Sequence, residues 1–396
     1  MKPSMELPQP SAEAQEHSAR LGELIRQAIA LEHGAISFAR YMELALYAPG
    51  LGYYSAGARK FGKDGDFVTA PELGGGFAHA LANAGALVLK QLEGDAIWFE
   101  IGAGTGALAE KTLKRLEALE VLPSQYWILE PSADLRERQR IHLQGSLTPE
   151  LFARCIWLDA PPEQPWQGVL VANEVIDALP TTRFIIEAGE VYEECIALDG
   201  KQAFSRVMRP ADALVGGAVR HIERYLKREL PEGYCSEVLP QLPYWIQAIA
   251  GTMARGGILF VDYGYPRGEY YLPERDDGTL ICHYRHRVHG DYFLWPGLQD
   301  ITASVDFTAL AEAGVSAGFV LAGYCSQASF LLGNGLAGYI AEYDRNADDI
   351  ARYREGQHIK KLMLPGEMGE RFQVMGFSKN TDFAPAFTNA DLSYRL

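Results

Sequence analysis

Residues 97 to 106, Ile-Trp-Phe-Glu-Ile-Gly-Ala-Gly-Thr-Gly, constrain this chain more than any other stretch. An apolar run reads as a buried strand, and Gly102, Gly104 and Gly106 follow at once, leading into a helical pattern. A strand that turns so tightly into a helix needs residues that accept positive φ and leave bare backbone for another molecule to lie against. The next apolar run, Tyr126 to Leu129, is closed by Glu130. An acid at that place can hold the two hydroxyls of a ribose, so the pair reads as a nucleoside-cofactor site.

The surrounding pattern predicts helix 76–91, strand 97–101, helix 108–120, strand 126–130, helix 133–143 and strands 155–158 and 169–173. Strands alternating with helices mean a parallel sheet covered on both faces, a Rossmann-like doubly wound α/β fold. After Pro180 the alternation stops, and short strand-like runs around Gly189 and Gly200 read as the hairpins of a large α+β insertion. A buried run at 258–262 then returns the chain to the sheet. The expected organisation is a flexible leader over 1–20, a helical and lid-bearing extension over 21–92, and the cofactor-binding core over 93–180. The insertion follows over 181–254, and the remainder of the core over 255–396 carries a long substrate-side loop at 263–305.

Composition narrows the function. Thirty-six basic residues against 51 acidic ones leave a net charge of -15, so the whole-molecule field repels nucleic acid and anionic membrane. The five cysteines are scattered and never form a C-x-x-C pair, which argues against a disulfide framework and a zinc knuckle. His283, His286 and His289 match no usual zinc spacing, and Arg285 and Arg287 between them would repel a cation, so no metal is expected. Residues 1–20 have no apolar signal region, and no apolar run is long enough to span a membrane. These features lead us to expect a soluble, cytoplasmic protein without membrane insertion.

The glycine turn alone does not choose between cofactors. A pyrophosphate-binding fingerprint would be completed at position 107, where Ala107 stands, and Ala is sometimes accepted there. Glu100, just before the turn, opposes a pyrophosphate but suits a cofactor bearing an ammonium and a sulfonium, as S-adenosylmethionine does. At the ends of the next strands, Asp159 is placed to receive the adenine amino group and Asn173 the methionine end. Asp159 reads equally well as a solvated acid before Pro161 and Pro162.

Four stretches resemble one family: Tyr47-x-Pro-x-x-Gly-Tyr-Tyr54, Gly65-Asp-Phe-x-Thr-x-Pro-Glu72, Asn173-Glu-x-x-Asp-Ala-Leu-Pro180 and Asp300-Ile-Thr-x-x-Val-Asp-Phe307. The chain is similar to the class I S-adenosylmethionine-dependent methyltransferases of the MidA type, whose mitochondrial members assist respiratory complex I assembly. The resemblance implies the class I methyltransferase sheet with an N-terminal extension and an insertion. It also implies a protein substrate methylated on arginine, although this chain has no arginine-rich presequence.

An arginine acceptor stays protonated, so acidic side chains must fork onto two of its nitrogens and expose the third. Glu174, Asp177 and Asp262 follow the fourth and fifth core strands and are the catalytic candidates. Glu174 is expected to orient the acceptor and Asp177 to assist; turn-anchoring roles are the alternative for Asp177 and Asp262. Thr69, Pro71 and Glu72 form the lid side of the site. Tyr53, Tyr54 and Phe67 either line an entry channel or pack the lid onto the core. Methylation of a small molecule, or partner binding with little turnover, are the rival readings. A nicotinamide oxidoreductase is the weakest of them, and whether the chain forms a homodimer through 181–250 stays open.

Overall fold

A computed structural model describes residues 7–56 and 69–396. The chain separates into two units, one of Val68–Ile176, Gln241–Pro266 and Val305–Leu396, the other of Met1–Phe67, Asp177–Pro240 and Arg267–Ser304.

The first unit holds the main sheet. Its principal strands are β1 (Ile97–Ile101), β2 (Gln125–Leu129), β3 (Cys155–Leu158), β4 (Trp166–Asn173), β5 (Met253–Tyr265), β6 (Val320–Ser326) and β7 (Phe372–Lys379). Their order is β3-β2-β1-β4-β5-β7-β6. The first five run parallel, while β7 is antiparallel to both β5 and β6. A two-residue strand, Val305–Asp306, extends the parallel edge beside Gly264 and Tyr265. β1 is buried along its whole length and β4 along most of it, whereas edge strand β3 is only half-buried. Central parallel strands covered on both faces need such continuous apolar runs. The order reverses between β1 and β4, and the crevice at the carboxyl ends of strands around such a reversal is where open α/β sheets bind ligands.

Helix Gly76–Leu89, apolar on almost every side and nearly all buried, belongs to this unit. So does Leu242–Ala250, whose Trp245 meets Phe260 of β5 at 6.1 Å. The division therefore cuts across the boundaries expected from the sequence. The core unit takes back residues 69–92 from the extension and 241–254 from the insertion, because those helices bury their apolar faces in it.

The other unit contains a five-stranded antiparallel sheet built from Ala35–Ser37, Thr182–Glu187, Glu190–Leu198, Phe204–Pro210 and Cys235–Val238. Two expectations are corrected here. The leader expected to be flexible through residue 20 is helical from Ala12: helix Ala12–Leu31 starts at Ser11, whose hydroxyl caps Ala14 N. Its stripe of Ser18, Leu21, Ile25 and Ile29 is buried. The polar stretch 263–305 is also not one loop. It holds the turn of helix Arg267–Tyr270 and a three-stranded antiparallel sheet with Ile281–Tyr284 between Arg287–His289 and Asp300–Thr302. The charged and histidine-rich composition of 283–289 hid a strand pair that buries Cys282 and Tyr284.

Candidate active site

The glycine turn forms as its spacing requires. Gly102, Gly104 and Gly106 have φ of 68°, 52° and 87°, in the left-handed region that glycine enters at least cost. Gly106 is the N-cap of helix Ala107–Ala118. A Cβ placed on Gly104 would meet no atom of the described residues within 4 Å, whereas one on Gly106 would touch His142, Leu143 and Gln139. The turn thus presents one face to the protein and leaves an open cradle at Gly104.

Glu130 is buried directly after β2, and its carboxylate accepts from Ser132 N at 3.0 Å and Gln139 Nε2 at 3.3 Å. Gln139 is the link that sequence reading missed. Its amide also donates to Gly104 O at 3.0 Å, and its carbonyl accepts from Trp157 Nε1 at 2.9 Å. One fully buried side chain therefore ties the ends of β1, β2 and β3 together. The signal for it was present: Leu135, Gln139 and Leu143 recur every fourth residue and form the buried stripe of helix Ala133–Ser146.

Glu100 is buried within β1, where its carboxylate accepts from Tyr126 Oη at 2.6 Å. Burial pushes its carboxyl up to about 7, against the pull of the Tyr126 hydrogen bond and with Glu130 adding to the rise. The sequence argument treated Glu100 as a full negative charge, and burial weakens that argument near neutral pH. A stability consequence follows from the sign. Between the ordinary value of 4.5 and about 7 the folded protein holds the proton that the unfolded chain releases, so stability falls as pH rises through this window. Relative to Glu100→Gln, wild type is expected to lose on the order of 3 kcal/mol between pH 4.5 and 8. Urea unfolding across that range checks it, and parallel pH profiles for the two proteins would refute it.

Asp159, directly after β3, is exposed and ion-paired with Arg136 at 2.7 Å. Asn173 ends β4. Its amide donates to Glu174 Oε1 at 3.1 Å, while its Oδ1 is buried with no hydrogen-bond partner among the described residues. Glu174 follows with φ of 52°, an uncommon value for a residue with a side chain. Its backbone is held by Glu174 N donating to Val261 O at 2.9 Å. Asp262 does not follow the adjoining strand, as the sequence suggests, but lies buried within β5, which runs on to Tyr265; its Oδ2 accepts from Ile176 N at 3.0 Å and its Oδ1 from Tyr263 N at 2.9 Å. Both oxygens of Asp262 are thus engaged in holding backbone, and it anchors the turn that carries Glu174.

The lid residues divide similarly. Thr69 precedes the short helical turn Ala70–Glu72, with Glu72 N donating to Thr69 O at 3.1 Å. Pro71 O accepts from Lys111 Nζ, and Glu72 accepts from the hydroxyl of Thr105 inside the glycine turn. Glu72 is therefore tied to the turn. Gly65 to Val68, including Phe67, lie outside the described residues. In the other unit Asp177 is buried, and its carbonyl accepts from Ala303 N at 2.9 Å. Tyr53 is buried in an apolar cluster. Tyr54 donates to both oxygens of Asp300 at 3.0 Å and stacks on Tyr47.

The residues at the head of the sheet fit a sulfonium nucleoside. Gly104 leaves room against bare backbone, Glu130 is an acid at the ribose position, and the buried Asn173 Oδ1 is an acceptor for an ammonium.

Comparison with known proteins agrees. A family model described as a putative S-adenosyl-L-methionine-dependent methyltransferase matches residues 80–325, more than half of the chain. The crystal structure of a Burkholderia thailandensis protein bound to S-adenosyl-homocysteine is 44% identical, with a TM-score of 0.92 over 99% of this chain and 100% of that one. Among curated proteins, the mitochondrial protein arginine methyltransferase NDUFAF7 of Danio rerio is 28% identical, the match covering 86% of this chain and 82% of that protein. The Bos taurus counterpart is 26% identical over 86% and 80%. These relatives are mitochondrial proteins, which overturns the expectation of a cytoplasmic home. The expectation rested on an absent signal, and its physical basis, charge and the lack of apolar runs, does not distinguish compartments. No helix among the described residues is long and apolar enough to cross a membrane.

Proposed function

This chain belongs to the family of putative S-adenosyl-L-methionine-dependent methyltransferases, and on that premise we propose that it methylates an arginine side chain of a protein. The observation that carries the reading is Glu174: an acid held in a left-handed conformation at the carboxyl edge of the sheet, directly after the strand that ends in Asn173. Backbone of that kind persists only where its surroundings enforce it, and it concentrates at functional sites. The names of the relatives, protein arginine methyltransferases, support the acceptor.

When bound, S-adenosylmethionine supplies an electrophilic methyl group, and the protein's own contribution is placement. In this reading Glu130 holds the ribose hydroxyls, Gly104 leaves backbone bare against the cofactor, and Asn173 accepts from its ammonium. Glu174 receives the guanidinium through charge-assisted hydrogen bonds, fixing which nitrogen is presented. Asp262 keeps Glu174 in place by holding Ile176 N, and Asp177 assists as a second acid. Glu100 stands behind the turn, and Asp159 receives the adenine amino group.

The test is incubation with methyl-labelled S-adenosylmethionine and size-fractionated lysate of the source cells, followed by acid hydrolysis of labelled protein. Label recovered as methylarginine is the expected result. Label confined to small molecules would replace the acceptor. No label in any fraction would favour partner binding with little turnover.

A further inference from the structure

The segment 69–75 brings Glu72 to Thr105 in the glycine turn, and a separate set of side chains holds that segment down. Lys111 stands just over one turn into Ala107–Ala118, the helix that begins at the glycine turn. Its ammonium donates to Pro71 O at 2.6 Å and to Gly74 O at 2.7 Å. A second anchor lies on Asp349–Met363, where the buried Glu355 accepts from Gly75 N at 3.2 Å and from Tyr339 Oη at 2.8 Å. Tyr339 Oη also receives Gly75 N at 3.2 Å. The segment between the anchors is short, and Glu72 sits inside it.

An ammonium drawn partly out of water loses hydration that only directed hydrogen bonds recover. Burial accordingly draws the Lys111 amine below its ordinary value, while Glu72, Glu110 and Glu355 oppose the drop. Two carbonyls of one short segment are an economical way to satisfy it, and they make the amine a clamp. The clamp is rooted in the helix that the glycine turn starts, so one helix carries both the turn and the amine that holds the segment.

We infer that Lys111 is a positioning residue for the cofactor site, clamping segment 69–75 so that Glu72 holds Thr105 and thereby the Gly102–Gly106 turn in its receptive shape. Lys111 acts through Glu72 and Thr105. Its effect is on cofactor affinity, and it needs no acceptor to be seen.

The experiment is calorimetric titration of S-adenosyl-homocysteine into the full-length protein and four variants: Lys111→Met, Thr105→Val, the two combined, and Lys111→Arg. Met keeps the stem and removes both hydrogen bonds; Val keeps the shape of Thr105 and removes its hydroxyl. Each single change is expected to weaken affinity about 10-fold. The double variant is expected to be no weaker than the worse single, because both break one chain of contacts. Lys111→Arg is expected to recover most of the loss. Unchanged affinity in Lys111→Met, or losses that multiply in the double variant, would overturn the inference. A lysine that only stabilised the fold would lower the melting temperature of the ligand-free protein and leave the affinity alone. If Lys111→Met does not fold, Lys111→Gln, which keeps a polar group on a shorter, uncharged stem, paired with Thr105→Val runs the same cycle. With no acceptor in the assay, failure here leaves the arginine reading untouched.

Discussion

A Glu174→Gln variant is expected to lose at least ~100-fold in kcat toward an arginine-bearing protein while binding S-adenosyl-homocysteine as wild type does. Gln keeps the length and one acceptor of the side chain but removes the charge, and a guanidinium needs the charge as well as the fork. The backbone at this position makes the expectation sharp. Glu174 has φ of 52° and is pinned by Val261 O on one side and by the Asp262 grip on Ile176 N on the other. A left-handed non-glycine residue costs ~1–3 kcal/mol. Glu174→Gly should therefore match or exceed wild-type stability in urea unfolding and yet be inactive, which would separate the use of the side chain from the needs of the fold. Wild-type turnover in Glu174→Gln would remove Glu174 from the acceptor site. A less stable Glu174→Gly would mean that the left-handed turn carries no strain.

How much of this was legible beforehand depended on what sort of signal each residue sends. β1 and β3 fall on 97–101 and 155–158 as the apolar runs predict, although Glu100 interrupts the run in β1 and edge strand β3 is only half-buried. The glycines announced their own turn. Asp262 was legible both as a catalytic acid and as a turn anchor, and the sequence could not choose, since an acid beside a buried run looks the same whether it touches substrate or holds Ile176 N. Glu100 was misjudged in strength for a related reason: its charge state depends on burial and on Tyr126, which are matters of packing. Lys111 and Thr105 sent no signal, because their partners are backbone carbonyls and an acid 33 residues away. Contacts of that range arise only when the helix and the segment are folded against each other. The sheet in 263–305 was lost because its strands are short and interrupted by charged turns, where period-two patterning has too few residues to register.

A Gly104→Ala variant is expected to bind S-adenosyl-homocysteine ~10- to 100-fold more weakly, whereas Gly106→Ala should fall much less for a similar loss of stability. Both positions are left-handed, so a Cβ costs each about 1–2 kcal/mol of backbone strain. They differ in where the new methyl group goes. At Gly106 it would meet His142, Leu143 and Gln139 at 3.5 to 3.6 Å, ordinary contacts with the neighbouring helix. At Gly104 it would meet no atom of the described residues within 4 Å, and in the proposed reading the cofactor lies against that bare backbone. Matched calorimetry and thermal unfolding on the two variants turn this into a direct comparison, since strain alone predicts equal effects on affinity. If both variants lose affinity equally, the cradle at Gly104 is not the cofactor's seat. If Gly104→Ala alone loses it, the direction of one absent methyl group has located the ligand.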